Sequence, residues 1–254
     1  RAGGSAATTT VNVKSTPFAG GAKGDGVTDD TAAIAAAEAS VATSGGKVFF
    51  PAGVYITGPQ TLHSKGVWEG ESRGSAIVRL KAGSNADLLK TKDYELLTGT
   101  QGISGNVGCS GHGLRHITLD ANRTQQTARS RCYVSYGWKH TVLDVEFVNG
   151  HTIGVTSEWT NFDGGGARME ALWSNFRIWN YGGVKGGAVG LDFSGPHDSI
   201  LSDFVIATLD STIRPYHAKY GSTPIDAGGG PTAADLTATA TLTIAELRTR
   251  IITA

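Results

Sequence analysis

Apolar residues follow two different rhythms along this chain. Between Thr31 and Val41 they are mostly alanines, with Ile34 and Val41 the only larger apolar side chains. That pattern predicts a helix slim enough to lie flat on a neighbouring surface. Thr28-Asp29-Asp30-Thr31 supplies side-chain oxygens for its N-cap and acidic charge at the positive end of the helix dipole. Gly45-Gly46 ends it. Residues 47–56 then read as strand, turn and strand around Pro51-Ala52-Gly53. Beyond residue 60 the helical period vanishes and a long repeat takes over.

The repeat is seen when residues 114–121, 142–149, 173–180 and 201–208 are set under one another. The markers Ile117, Val145, Phe176 and Phe204 are separated by 28, 31 and 28 residues. Three columns are apolar throughout: Leu114/Val142/Trp173/Leu201, Ile117/Val145/Phe176/Phe204 and Leu119/Phe147/Ile178/Ile206. The last two stand two residues apart, the period of a strand with one buried face. The columns His116/Asp144/Asn175/Asp203 and Thr118/Glu146/Arg177/Val205 are largely polar and predicted to face outward. Each repeat carries a second short strand, such as Ile153-Gly-Val155 or Val189-Gly-Leu191-Asp-Phe193. Asn149 and Asn180 share a column at the strand end, where stacked amides can bond from coil to coil.

One coil per ~20 to 30 residues with matching inward columns is the pattern of a parallel β-helix. Many glycines (36) without a collagen period agree with many tight turns and short strands. Lys plus Arg and Asp plus Glu both number 22, so the net charge is zero. That balance argues against nucleic acid as a partner. No stretch approaches the ~18 apolar residues of a membrane span, so no membrane insertion is expected. Cys109 and Cys132 are expected to be free, buried thiols rather than a disulfide.

A β-helix exposes apolar side chains and unpaired edges at its open end, and an alanine-rich helix behind a rigid turn would plug it. Gly21-Ala-Lys-Gly-Asp25-Gly-Val-Thr-Asp29-Asp30-Thr-Ala-Ala-Ile34 followed by Gly45-Gly-Lys-Val-Phe-Phe-Pro51-Ala-Gly53-Val-Tyr-Ile56 resembles the N-terminal signature of the pectate-lyase-like superfamily. That superfamily includes glycan-degrading enzymes and many tailspikes and fibres of tailed bacteriophages. The match is nearly gapless over residues 18–58, and weaker similarity among the coils extends it to about residue 208. The resemblance implies an all-β fold: a right-handed parallel β-helix with a short N-terminal capping helix and a small C-terminal appendage. It also implies that Asp25, Asp29, Asp30 and Ile34 are cap residues. The order of the acidic residues departs from that of a calcium loop, and no metal and no cofactor are expected.

The expected organisation is an extended segment over 1–17, cap and first coil over 18–58, β-helix over 59–210, and a linker with the start of a C-terminal module over 211–254. In that last part Thr243 and Glu246 suit a capping box, with Leu247 and Ile251 on one face. The run from Leu242 resembles the start of a module in phage fibre and head-associated proteins. The chain is expected to continue beyond 254. Its first residues, Arg1-Ala2-Gly3-Gly4, hold neither an initiator methionine nor an apolar leader, which suggests a processed or partial chain.

Candidate chemistry is sparse. Glycoside hydrolysis needs two carboxylates, ~5 to 5.5 Å apart for retention and ~6.5 to 9.5 Å for inversion. Asp144 and Glu146 alternate on one strand with Asp203 two coils away, and they are the candidate catalytic residues. The competing reading is a solvated face, with Glu146 paired to Arg177. A lyase of the superfamily would need calcium-binding carboxylates and a basic residue, and no such set is recognisable. Asp163-Gly-Gly-Gly166 reads as a flexible turn. Sugar binding needs aromatic faces beside polar groups. Trp138, Trp159, Trp179 and Tyr181 are the candidates for carbohydrate binding or a subunit interface, with local packing the alternative, and Tyr133 and Tyr136 lie near them. Trp173 reads as core.

The resulting expectation is a structural fibre or spike protein of a tailed bacteriophage virion. It would be assembled in the bacterial cytoplasm and displayed on the particle for attachment to host-surface polysaccharide. Its partners would be its own copies, as a homotrimer, and other virion proteins. The alternative is a tailspike depolymerase cleaving that polysaccharide. A secreted pectin-degrading enzyme comes third.

Overall fold

The fold comes from a computed structural model that describes residues 9–98, 108–159, 171–182, 188–196 and 199–208, together with strands at 215–220 and 223–224. The chain begins with β1 (Thr10–Asn12), β2 (Asp25–Asp29) and helix α1 (Thr31–Val41). A first coil follows as β3 (Gly46–Phe50), β4 (Gly53–Thr57) and β5 (Gln60–Leu62). The second is β6 (Gly66–Gly70), β7 (Ala76–Leu80) and β8 (Leu89–Thr91), after which comes a short helix, α2 (Tyr94–Thr98). The second coil ends in β9 (Cys109–Ser110), and the third holds β10 (Gly113–Arg115), β11 (Thr118–Asp120) and β12 (Tyr133–Trp138), whose end pairs with β9. The fourth is β13 (Thr141–Val148) and β14 (Ile153–Glu158), and the fifth is β15 (Leu172–Trp179) and β16 (Ala188–Ser194). The sixth is β17 (Ile200–Ser202), β18 (Val205–Ala207) and β19 (Pro215–Tyr220), with β20 (Thr223–Pro224) folded back antiparallel on β19.

Corresponding strands of successive coils pair in parallel, which gives three faces. The first runs β1-β3-β6-β10-β13-β15-β17, and the second β2-β4-β7-β11-β13-β15-β18. The third runs β5-β8-β12-β14-β16-β19. This is the parallel β-helix expected. The predicted columns pair in register: Leu114 with Val142 and then Trp173 and Leu201, Val145 with Phe176, and Leu119 with Phe147, Ile178 and Ile206. Their members are buried in one continuous core, except that Phe204 and Ile206 of the sixth coil are half-buried and packed against it. The Phe176 and Phe204 rings stack 4.9 Å apart. Cys109 and Cys132 are free and buried.

Simple alternation cannot place Leu114 and Ile117, three residues apart, on the same side. The residues just before the second inward position explain it. His116, Asp144, Asn175 and Asp203 have φ of +50°, +55°, +52° and +53°. A residue in the left-handed region bends the strand and resets which side faces inward. Short polar side chains tolerate that region best, so the polar column marks the corner between the first and second faces. In the fourth and fifth coils the strand runs on through this corner; in the third and sixth it breaks there.

Asn149 and Asn180 form the next corner, with φ of +60° and +53°. They do not make the amide ladder expected. Asn149 Nδ2 donates to Asp120 Oδ1 at 2.9 Å, while its main-chain N–H bonds the Trp179 carbonyl in the next coil. The corner is held by main-chain bonds and Asp120.

The cap is built as anticipated in outline. Ala33, Ile34, Ala37 and Val41 of α1 are buried in the core, closing the first coil. Asp29 accepts bonds from the Thr31 main chain and hydroxyl at the start of the helix, and Lys81 Nζ reaches it at 2.8 Å. Asp30 behaves differently from a helix cap. Its buried carboxylate turns back to accept the Lys23 and Gly24 N–H groups at 2.7 and 3.0 Å, stapling the glycine turn to the helix. Asp25 stays exposed and accepts from Val27 and Thr28, closing its own turn.

Two boundaries differ from expectation. Strand pairing starts at Thr10, inside the segment expected to be merely extended, and β19 carries the third face beyond residue 210, into the expected linker. The Asp163–Gly166 turn and the run from Leu242 lie outside the described residues.

Candidate functional site

The carboxylates predicted for catalysis are occupied with structure. Asp144 Oδ2 lies 2.9 Å from His116 Nδ1, and Oδ1 accepts from Asn175 Nδ2 at 3.0 Å and faces Arg73 Nη1 at 3.2 Å. Arg73 Nη1 also donates to the Asn175 carbonyl at 3.1 Å. Asp203 is exposed, with the Ser174 hydroxyl 3.4 Å from its Oδ2. Glu146 stands in register with Arg177, yet the ion pairs found among the described residues on this face include those of Asp144 and Asp120 and none between Glu146 and Arg177. Asp144 therefore braces the corner between two faces.

The aromatic candidates divide. Tyr181 is fully buried in the core and cannot meet a sugar or a partner chain. Trp179 is half-buried on the outside of the second face. Trp138 and Trp159 are brought together on the third face, in a cluster separate from the core that also holds Tyr94, Leu97, Val134 and Tyr136. Trp159 is buried within it, while Trp138 is half-exposed at its edge with Lys139 Nζ 4.8 Å from its ring centre.

This cluster sits where the outside of the third face is covered. Along β14 and β16, Val155 and Leu191 point into the core, so the paired Thr156 and Asp192 point outward, as does Glu158 two residues on. Outward residues of a coil are normally wet, but Thr156 and Asp192 are buried here. The cover is a polar network. Arg131 grips Asp87 bidentately, Nε to Oδ1 at 3.0 Å and Nη2 to Oδ2 at 2.8 Å, and its main-chain N–H donates to Oδ1 as well. Arg131 Nη1 donates to Thr156 Oγ1 at 3.0 Å and to Tyr94 Oη at 3.3 Å, and its guanidinium lies 5.4 Å from the Tyr94 ring centre. Tyr94 Oη in turn donates to Glu158 Oε1 at 3.0 Å.

Burial alone would raise the Asp87 carboxyl and lower the Arg131 guanidinium, but each outweighs that on the other. Asp87 is held below its usual range and Arg131 above. Burial pushes the Tyr94 phenol above its ordinary range, Glu158 adds to this, and Arg131 opposes it. Tyr94 is thus a neutral donor, aimed at Glu158. From strand spacing and rise, the Cα atoms of Glu158 and Asp192 stand about 8 Å apart. Tyr94, Tyr136, Trp159, Thr156 and Asp192 are buried, so among the residues named on this face the partly accessible ones are Trp138 and Glu158. Among the described residues no group of three or more His, Cys, Asp or Glu side chains is placed to hold a metal.

A sequence profile of the family described as rhamnogalacturonase A/epimerase, pectate lyase-like, matches residues 10–221. The chain belongs to this family. Within the pectate-lyase-like family it is similar to mannuronan C5-epimerases of Azotobacter vinelandii: AlgE5, 34% identical over 118 residues, and AlgE4, 35% identical over 118 residues. Each match covers 43% of this chain, and the chain spans 11% of the length of AlgE5 and 20% of AlgE4. Among solved structures, the AlgE6 A-module superposes with a TM-score of 0.53 at 19% identity, covering 83% of this chain and 57% of that one. Bacteriophage phi29 gene product 12 superposes with a TM-score of 0.53 at 17% identity, covering 88% of this chain and 35% of that one. At these identities the superpositions establish the fold.

In this pectate-lyase-like chain the sequence pattern left five groups of the covered face unfound: Asp87, Tyr94, Arg131, Glu158 and Asp192. The second short strands at Ile153 and Val189 are legible in the sequence, and their register sets Thr156 beside Asp192. Tyr94 was hidden because α2, a single turn after residue 60, is too short to show a period. Asp87 and Arg131 lie 44 residues apart in loops, and only the coil pitch brings them together.

Proposed function

We propose that this chain is the β-helical part of a tailed-bacteriophage fibre or spike, and that its third face binds host-surface polysaccharide. The observation that carries the reading is Trp138, half-exposed at the edge of the aromatic cluster outside the core with Lys139 over its ring. Aromatic surface beside groups that accept and donate hydrogen bonds is what a sugar ring requires. Membership of a glycan-acting family supports the choice of ligand. The fold shared with a phage gene product supports the virion setting. The closed network around Arg131 favours a binding scaffold, since its strong donors are already engaged.

The same reading makes the chain a homotrimer in contact with other virion proteins. Leu143, Leu172 and Ile200 are 41%, 48% and 61% exposed and adjoin on the outside of the first face, where they suit burial against a second copy. Leu172→Glu is expected to lower the mass measured by light scattering to that of one chain; an unchanged mass removes this face as the subunit contact.

Binding is tested by titrating host-surface polysaccharide into the purified protein. Trp138→Ala is expected to weaken it about tenfold, equivalent to ~1.4 kcal/mol, with the melting temperature retained. Unaltered affinity would rule out the third face. The second reading, a polysaccharide depolymerase, is favoured by one observation, Glu158 and Asp192 on adjacent strands. If it holds, wild-type protein shortens the polysaccharide and Glu158→Gln does not, because proton transfer is lost.

A further inference from the structure

Inside the third and fourth coils the core holds two imidazoles. His112 and His140 stack with ring centres 4.7 Å apart and planes 13° apart, and both are 1% exposed. His112 Nε2 lies 2.8 Å from Tyr133 Oη. Both ring nitrogens of His140 have no hydrogen-bond partner among the described residues, while the Cys109 main chain bears on His112. Unpaired polar atoms in a core are costly, and a fold that wanted only bulk here would use aromatic hydrocarbon.

The neighbours offer no counter-charge. Tyr133 faces the pair from β12, the Cys109 main chain from β9, and Trp173 from β15, edge-on to His140 at 5.9 Å. Lys139 is exposed over the Trp138 ring, and Arg115 is on the outside of β10. Glu38 and Asp93 bear on the Cys109 thiol and on neither ring. A proton added to either imidazole would find the other imidazole, the Tyr133 hydroxyl and the Cys109 main chain, none of which carries a counter-charge.

We propose that the His112–His140 stack is an acid-sensitive joint, whose protonation loosens the third to fifth coils while the N-terminal cap stays folded. Burial drives both groups toward the neutral form: His140 is pushed down to about 3, and His112 well below its ordinary value, with His140 adding to the effect. In the opened chain both return to ~6.5. Because the folded values are depressed, the opened state binds more protons below ~6.5, and stability is lost as pH falls from there. Well below ~6.5 each imidazole raises the ratio of open to closed chain tenfold per pH unit, so the pair raises it about 100-fold per unit there. The cap lacks this weakness: hydrogen bonds from Thr28 and Val27 hold Asp25 at about 2, and bonds from Lys81 and Thr31 hold Asp29 at about 2.

The test is urea unfolding at several pH values between 6.5 and 4.5, followed by tryptophan fluorescence. His140→Phe keeps the stack and removes one proton site. The slope of log K against pH is expected to fall by about one relative to wild type; an equal slope overturns the proposal. Two measurements on the wild type guard against a variant that fails to fold. The folded-state NMR signals of both imidazoles should stay unshifted from pH 7.5 to 5, and titration of either near 6.5 overturns the proposal. Limited proteolysis at pH 4.5 should cut first within residues 109–180, and first cleavage within the cap overturns it.

Discussion

His116, Asp144, Asn175 and Asp203 show how a single backbone conformation decides a side chain's job. Each holds φ near +50°, which a β-branched residue resists by roughly 1–2 kcal/mol. Asn175→Val should therefore destabilise the fold by about that much, while Asn175→Gly should stay within ~1 kcal/mol because glycine is at ease there. Urea unfolding at neutral pH separates the two. Asp144, tied to Arg73, His116 and Asn175, is a brace. Asp144→Asn with Glu146→Gln should cost about 1 kcal/mol, the scale of a partly exposed ion pair, and leave polysaccharide affinity unchanged. Loss of binding or of a cleavage activity would return this column to the functional surface.

At the scale of elements, the cap is where sequence and structure agree most closely. Helix α1 seals the first coil with Ile34 fully buried, so Ile34→Asp should destabilise by several kcal/mol as an unpaired carboxylate enters an apolar plug. Glu38 is the polar exception in the buried side of α1. Its carboxylate accepts Trp68 Nε1 at 2.7 Å and the His63 N–H at 3.0 Å, tying the helix to the second coil. Asp25→Asn should do far less than Ile34→Asp, and chelators should leave the melting temperature unchanged; melting on chelation would mean that a cation sits in the turn. Asp25 and Asp29 have depressed folded values, so what they contribute is complete above the unfolded ~3.9 and is lost only as pH falls toward about 2.

Across the whole molecule the three faces have different tasks. The second face and its corners carry the ion pairs of Asp144 and Asp120. The first presents Leu143, Leu172 and Ile200. The third is covered by α2 and the Arg131 network and carries the aromatic cluster. Arg131 is the joint of that cover. Arg131→Met should strand the Asp87 carboxylate in a buried place and destabilise by roughly 3–5 kcal/mol, a larger loss than any change in the Asp144 column. Thermal unfolding measures it.

The sequence by itself determined the coil. Inward columns such as Leu119/Phe147/Ile178 are periodic, and burial of apolar side chains at a strand's period of two leaves a mark that can be read without coordinates. The cap was equally legible, because turn chemistry and helix composition act over a few neighbouring residues. The reading failed where position depends on distant parts of the chain. It left Tyr181 and Trp159 open between sugar contact, subunit interface and local packing, and both are buried. It offered Asp144, Glu146 and Asp203 as catalytic candidates beside a solvated-face reading, and the polarity of Asp144 and Asp203 answers the demands of a corner. Tertiary structure alone decided the covered face, since Asp87 meets Arg131 across 44 residues and Tyr94 meets Glu158 across 64. Contacts of that kind are set by how many residues each loop adds to a coil, and loop lengths vary without breaking the strand period that the sequence displays.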